Sequence, residues 1–473
     1  MGSSETPNLL SATEAIRQIQ AGRLTAVELL RTCLAQIERL EPTLKAWAHL
    51  EPMIALERAH SIDRSIQEGK TVGPLTGIPV GVKDIFNTTD MPTSMGSPLW
   101  TGFTPGNDAR VVFYLRQAGA VIPGKTVTAE FAVHTPGPTV NPHHPGHMPG
   151  TSSSGSAAAV ASFMVPLAIG SQTAGSTIRP ASYCGVYGFK PSFGLIPRTG
   201  SLKTTDSLDT VGFFARTVED LGLLLEVLRV HGTDYPISHA LLTDATRQKP
   251  FHRPWRVALV KGPKWEGAEG YAKEALLRYA SKLAAQEGVM VEEVELPPGF
   301  DQAHHVHSLV YDKALSYYFK EEFKKETLVS SILKAMIVHG QQIPLSDYHA
   351  ALQRQRELAQ ALDDWFKDRV DILLTLSTGG EALKGLDSVD RPDSCLIWTL
   401  CGVPTIHLPV FVGPLGLPFG AQVAARRYND HDLLRFVHFL RQNGLVPDAP
   451  YPVPALALQE EASQPKALRE VVQ

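Results

Sequence analysis

Two stretches hold the residues whose types and spacing could do chemistry. Met148-Pro-Gly-Thr-Ser-Ser-Ser-Gly-Ser156 and Gly170-Ser-Gln-Thr-Ala-Gly-Ser-Thr-Ile-Arg-Pro180 set small hydroxyl residues among glycines. Such segments leave backbone N–H groups free to face a ligand and bring several weak nucleophiles within reach of one another. A lone Ser/Gly run is an ordinary linker. Here, however, Ala157 to Met164 continues without a break as an apolar helix, and Val165 to Ile169 reads as a buried strand. A solvated linker would not be built into a core on both sides. A serine hydroxyl is nearly inert at neutral pH without a base beside it. No histidine in the chain occupies a motif that ties it to these serines. Lys83, just after the apolar stretch Gly77 to Val82, is a basic residue that burial would push toward its neutral form. On its own it would be read as a surface lysine at a strand end.

The elements that must position these residues can be read in order. Ser11-Ala-Thr-Glu14 and Thr25-Ala-Val-Glu28 fit the capping-box pattern and predict an antiparallel helical pair, the first helix stopping at Gly22. Met53 to Glu68 predicts a third helix ended by Gly69. Gly77 to Val82 and Ala120 to Ile122 read as strands, with a helix from Asp108 to Ala118 between them. Thr217 opens a leucine-rich helix running to Val230. Trp255 to Val260, a helix over Ala272 to Glu287, and Val289 to Leu296 make a further β-α-β unit. Gln302 to His339 is helical and rich in aromatics. A long helix over Ser346 to Phe366 leads to strands at Asp371 to Thr375, Val403 to Leu408 and Phe419 to Ala424, then a helix at Asp430 to Gln442. Strand and helix alternate with no polar linker, which predicts one large α/β domain.

The composition limits the partners. A chain of 473 residues with 43% hydrophobic and 19% charged residues is globular, and a net charge of -4 supplies no basic field for nucleic acid or an anionic membrane. The expected partner is a small molecule. The four cysteines, Cys33, Cys184, Cys395 and Cys401, lack disulfide-scaffold density and C-x-x-C spacing, which suits a reducing compartment. With neither a signal-peptide pattern nor a bilayer-length apolar run, a cytoplasmic protein is expected.

Gly77-Ile-Pro-Val-Gly-Val-Lys-Asp84, Pro149-Gly-Thr-Ser-Ser-Ser-Gly-Ser-Ala-Ala-Ala-Val160 and Thr173-Ala-Gly-Ser-Thr-Ile-Arg-Pro-Ala-Ser-Tyr-Cys-Gly-Val-Tyr-Gly-Phe-Lys-Pro191 together resemble the amidase signature family. Asn107 to Val112, Gly124 to Thr126 with Glu130-Phe131, Ser207 to Asp209 with Ala215 to Asp220, and Gly402 to Pro404 with Gly416 to Pro418 follow in the family's order. The resemblance spans about residues 10 to 445 and is thinnest from about 230 to 370. It implies a mixed twisted central sheet covered by helices on both faces. The expected organisation is a domain over 8–445, with N-terminal helices at 10–70, a catalytic core at 71–230, a variable substrate-facing helical region at 231–370, and C-terminal strands and helix at 371–445. A proline-rich tail follows at 446–473.

The resemblance also implies a Ser–cis-Ser–Lys hydrolase that needs no cofactor or metal. The nucleophile falls on Ser176, the bridging serine on Ser152, the lysine on Lys83, and the cis peptide on Thr151–Ser152. The backbone N–H groups of Thr173, Ala174, Gly175 and Ser176 are the candidate oxyanion donors. Departures from the family's pattern are Thr151 and Ser154 in place of glycine, Gln172 in place of aspartate, Ala174 in place of glycine, and Arg179 one position late. They bear on substrate and rate, since none removes a reacting group.

The implied reaction is hydrolysis of the C–N bond of a small carboxamide, carbamate or urethane through a seryl acyl-enzyme, with a homodimer allowed. Met91 to Phe103, Glu130 to His134, and Val306 to Phe323, with Tyr311, Tyr317, Tyr318 and Phe319, are expected to shape a pocket for a bulky or aromatic substrate. Two alternatives are the A subunit of a glutamine-dependent tRNA amidotransferase and an inactive binding protein on the same fold. Other patterns read as structure. Gly170 to Thr177 mimics a phosphate loop but has serine where the lysine should stand. His143, His144 and His147 are interrupted by Pro145 and Gly146 and read as loop residues. His304, His305 and His307 read as a solvated helix face, and Cys184 as a small buried residue. Asp84, Asp209 and Arg216 read as framework, and Arg179 as ordering the loop after Ser176.

Overall fold

The computed structural model describes residues 6–70, 73–231, 253–387, 390–448 and 450–454. The proline-rich tail expected at 446–473 therefore falls largely outside the described residues. Helices α1 (Ala12–Gln20) and α2 (Ala26–Leu44) start where the sequence predicts. Ser11 accepts from the Glu14 N–H, and Thr25 with Glu28 closes a full capping box, so each start satisfies donors that would otherwise be unpaired. Strand β1 (Trp47–Leu50), helix α3 (Pro52–Gln67), strand β2 (Val80–Lys83), helix α4 (Arg110–Gln117) and strand β3 (Gly124–Thr126) follow. The strand expected at Ala120 to Ile122 is only a single bridge between Pro79 and Val121. The ladder forms instead at Gly124 to Thr126, a stretch too short and polar to signal itself by apolar alternation.

Next come α5 (Ser154–Ala161), β4 (Leu167–Gln172), α6 (Ile178–Cys184), β5 (Tyr187–Lys190), β6 (Thr210–Ala215) and α7 (Val218–Leu228). Then β7 (Trp255–Leu259), α8 (Gly270–Ala284), β8 (Val289–Glu293), α9 (Ala303–Tyr318), α10 (Lys320–Phe323), α11 (Ser331–Gln342) and α12 (Leu345–Arg369) precede β9 (Ile372–Leu376). The last elements are α13 (Cys395–Leu400), β10 (Thr405–Val412), β11 (Pro418–Ala425) and α14 (Asp430–Gln442).

The strands form one 11-stranded mixed sheet in the order β1-β3-β2-β4-β6-β5-β10-β11-β9-β7-β8. Strand β2 runs parallel to both β3 and β4, which places Lys83 in the interior of the sheet. Successive side chains of β9 enter different cores: Ile372, Leu374 and Leu376 share one with residues of α7, α8 and α14, whereas Leu373 shares the other with residues of α9 and α12. Period-two alternation with both sides buried requires helices on both faces. The fold is thus the expected single α/β domain with a mixed sheet flanked by helices. Among the described residues no helix is long and apolar enough to cross a membrane.

Candidate active site

Lys83 ends β2 and is fully buried. Its Nζ lies 2.7 Å from Ser152 Oγ, 2.9 Å from Ser153 Oγ and 2.8 Å from Ser171 Oγ. Burial pushes the amine well below its ordinary pKa, and the charge of Asp209 opposes that shift. Its hydrogen-bonding partners are therefore three neutral hydroxyls. Lys125 offers a contrast on the adjacent strand: equally buried, it sits 3.3 Å from the Asp84 carboxylate and donates to Thr93 Oγ1 at 2.7 Å.

A neutral amine has two protons and one lone pair. Ser153 Oγ donates to the Ser171 carbonyl at 3.1 Å, so its own proton is engaged. With the amine in its neutral form, the proton offered to its lone pair would come from Ser152 or Ser171. Ser152 is fully buried, and the Thr151–Ser152 peptide is cis, as the resemblance implies. The Ser152 carbonyl accepts from the Ala129 N–H at 3.0 Å. Ser176 lies just ahead of α6, almost fully buried, and its carbonyl accepts from the Ser153 N–H at 3.3 Å, joining the two serine segments directly.

The segment from Thr173 to Ser176 has its carbonyls tied down. The Thr173 carbonyl accepts from His307 Nε2 at 2.9 Å, that of Ala174 from Thr399 Oγ1 at 2.8 Å, and that of Gly175 from the Arg179 N–H at 2.8 Å. In a trans peptide the C=O and the following N–H point in opposite directions. The N–H groups of Ala174, Gly175 and Ser176 are thereby aimed away from those anchors, and none has a hydrogen-bond acceptor among the described residues. Buried donors left unspent in a row form a cradle for an anion. The next two donors, of Thr177 and Ile178, are taken by Gln172 Oε1 at 2.9 and 3.0 Å. A glutamine amide oxygen thus fills the position where the family usually has aspartate. A Cβ at Gly175 would lie 2.7 Å from Arg179 Nη2, so a side chain there would have to displace the guanidinium that Asp390 and Asp393 hold.

The residues read as framework sit around this centre. Asp209 accepts from the hydroxyls of Thr173, Thr204 and Thr205 at 2.8, 2.6 and 3.0 Å. Asp84 accepts from the Ser94 N–H, and Arg216 donates to the Val165 carbonyl at 3.0 Å. Cys184 is buried, its Sγ directed at the Pro149 carbonyl. Arg179 pairs with Asp393 at 2.8 Å and Asp390 at 2.9 Å. His143 bonds to the Cys184 carbonyl and His144 accepts from the Gly146 N–H, both within a loop.

The expectation of a solvated face at His304, His305 and His307 is overturned for two of the three. His305 is exposed, whereas His304 bonds to the Asp393 carbonyl at 3.0 Å and His307 is buried against Thr173. Positions three apart share one helix face, and α9 lays that face on the site. Burial lowers the His307 pKa to about 4, so the ring is neutral and donates through Nε2.

Beside this centre, Met95, Trp100, Phe103, Phe131, Tyr318 and Phe319 line a cleft of about 300 Å³. It shares Ser201 and Leu202 with a smaller hollow lined by Ser171 and Thr173. Tyr317 is 65% exposed and turns away from it, while Tyr311 is buried with its ring against His134 and His307. The structure thus brings Lys83 and Ser152 into contact and adds Ser153 and Ser171 to them. Ser153 was visible only as part of the serine run, and Ser171 only as an inconspicuous polar residue on a strand.

The sequence model of the amidase family matches residues 28–434. The A subunit of glutamyl-tRNA(Gln) amidotransferase from Rhodopirellula baltica is 31% identical over 480 residues, covering 90% of this chain and 95% of that protein. Its counterpart from Chloroflexus aurantiacus is 32% identical over 464 residues, with 90% and 95% coverage. Among solved structures, the native peptide amidase of Stenotrophomonas maltophilia superposes with a TM-score of 0.78 at 27% identity, covering 93% of this chain and 98% of that one. A chain from a vestigial complex bearing on the origins of an s-triazine catabolic enzyme superposes with a TM-score of 0.83 at 26% identity, covering 93% and 100%. A match of this extent, on a fold that buries a lysine among serine hydroxyls, establishes that the chain belongs to the amidase signature family of enzymes acting on C–N bonds.

Proposed function

We propose that this chain hydrolyses the C–N bond of a carboxamide or carbamate carrying a bulky or aromatic group, through an acyl-enzyme on Ser176. The observation that carries the reading is Lys83, buried with its nitrogen against three neutral hydroxyls. An amine kept neutral can act as a general base at ordinary pH. Ser176 Oγ attacks the carbonyl carbon and yields its proton to Ser152 Oγ, whose own proton passes to Lys83 Nζ. The carbonyl oxygen takes up the electron pair and is held by the N–H groups of Thr173 to Ser176. As the tetrahedral adduct collapses and the C–N bond breaks, the proton returns from Lys83 through Ser152 to the departing nitrogen. Water then attacks the acyl-enzyme by the same relay and releases the acid. The aromatic cleft supports the preference for a bulky group.

The test is mass-spectrometric labelling of the purified chain with phenylmethylsulfonyl fluoride, together with turnover of aryl amides. One adduct on Ser176, absent in Ser176→Ala along with turnover, is the expected result. An unlabelled Ser176 and no turnover would instead favour an inactive binding protein.

A second reading is supported by the relatives themselves, since the two amidotransferase A subunits are 31% and 32% identical to this chain. It would make a partner protein necessary. Hydrolysis of simple amides by the isolated chain excludes it, whereas glutaminase activity that appears only with a partner supports it.

A further inference from the structure

Two departures from the family's pattern, Thr151 and Arg179, meet on one carboxylate oxygen. Asp390 Oδ2 accepts from the Thr151 N–H at 3.3 Å, from the Thr151 hydroxyl, and from Arg179 Nη1 at 2.9 Å. Thr151 immediately precedes Ser152, and Arg179 stands on the helix that follows Ser176. Arg179 also binds Asp393 through Nε at 2.8 Å, and Asp393 accepts from the Cys395 N–H at the start of α13.

Charge balance alone does not explain Asp390. Asp393 already pairs with the guanidinium, so a second buried carboxylate adds a desolvation cost that one ion pair has no need of. What Asp390 adds is its grip on Thr151. A glycine at position 151 could offer only the N–H, whereas threonine offers the hydroxyl as well. The late arginine is what brings a guanidinium to the same oxygen.

We infer that Asp390 is a positioning residue for the proton relay, setting the placement of the Ser152 segment relative to the Ser176 segment by holding Thr151 and Arg179 through a single oxygen. This rests on the hydrolase reading above. A displacement of about 1 Å between reacting groups can cost about 100-fold in rate, and it does so in kcat, because the substrate still enters the same pocket. Burial raises the Asp390 pKa, with Arg179 and the Thr151 hydroxyl opposing that shift.

The test uses the full chain and four variants: Thr151→Ser, Thr151→Val, Asp390→Asn, and the double variant Thr151→Val with Asp390→Asn. Amide turnover and the rate of Ser176 modification by phenylmethylsulfonyl fluoride are measured for each. Valine keeps the shape of threonine without its hydroxyl, so the Thr151 pair reports on the bond even if Asp390→Asn folds poorly. The expected result is Thr151→Ser within about 3-fold of the unsubstituted chain, with Thr151→Val and Asp390→Asn each losing about 10- to 100-fold in kcat at little-changed KM. The double variant should lose no more than the worse single one, because both remove the same contact. A Thr151→Val chain with unchanged kcat, losses that multiply in the double variant, or an effect confined to KM would overturn the inference alone. Failure of the unsubstituted chain to be labelled at Ser176 or to turn over any amide would overturn the hydrolase reading, and the positioning role with it.

Discussion

Replacing Thr399 by valine tests whether the proposed oxyanion cradle is shaped from behind. The Thr399 hydroxyl donates to the Ala174 carbonyl at 2.8 Å and accepts from Gln172 Nε2 at 3.0 Å. Valine has nearly the same shape and neither capability. It would leave a buried carbonyl and a buried amide unpaired, at about 1–3 kcal/mol each. The sum is a sizeable part of the roughly 5–15 kcal/mol that holds a domain folded. The larger effect should be on rate. Freed from its anchor, the peptide between Ala174 and Gly175 can rotate and carry the Gly175 N–H off the developing oxyanion. Loss of one such donor costs about 3 kcal/mol, or about 100-fold in kcat. The assay is steady-state kinetics on an amide the unsubstituted chain turns over, with a thermal melt to show that the variant is folded. Thr399→Ser, which keeps the hydroxyl, serves as the control and should retain most of the activity. A folded Thr399→Val enzyme with kcat within about 3-fold of the parent would refute the idea that tethered carbonyls aim these donors.

Lys83→Met should abolish turnover while leaving a folded chain, since an apolar side chain of similar length suits a fully buried position; retained turnover would exclude the amine as the base. On the proposed relay the working form is the neutral amine, so the rate should rise as pH climbs through a pKa below the ordinary 10.5 and then level off, as a rate–pH profile would show. A rate that falls over that limb would mean the protonated amine is the working form. Trp100→Ala and Tyr318→Ala, which open the aromatic cleft, should lower the ratio of kcat/KM for an aryl-bearing amide to that for a methyl analogue by about 10-fold, the scale of a lost apolar contact. An unchanged ratio would show that the cleft does not hold the substrate.

The proposed reacting residues were legible because each lies in a local stretch of distinctive chemistry: serines among glycines, or a lysine at the end of an apolar strand. The residues that orient them were not. Thr399 reaches Ala174, His307 reaches Thr173 and Asp390 reaches Thr151 across separations of 225, 134 and 239 positions, and no short-range pattern encodes such pairings. His304 and His307 misled in the other direction. A polar residue on a helix reads as solvated unless the surface it meets is known, and that surface is the carbonyl side of a distant loop. Among the elements, α14 begins and ends where the periodicity places it, because an amphipathic helix shows its buried stripe in sequence. Strand β3 lies a few residues beyond the apolar run that suggested it, since its pairing is fixed by β1 and β2.

The order of the strands separates two kinds of variation. Lys83 stands on β2 with a neighbour on each side, while β7 and β8 occupy one margin of the sheet, and the helices that follow β8 carry His307 and, at the cleft, Tyr318. Exchanges at Tyr318 or Phe319 can reshape what enters the pocket without shifting the ladder that holds Lys83. An architecture laid out in this way lets the shape of the pocket change while the surroundings of the buried amine stay put.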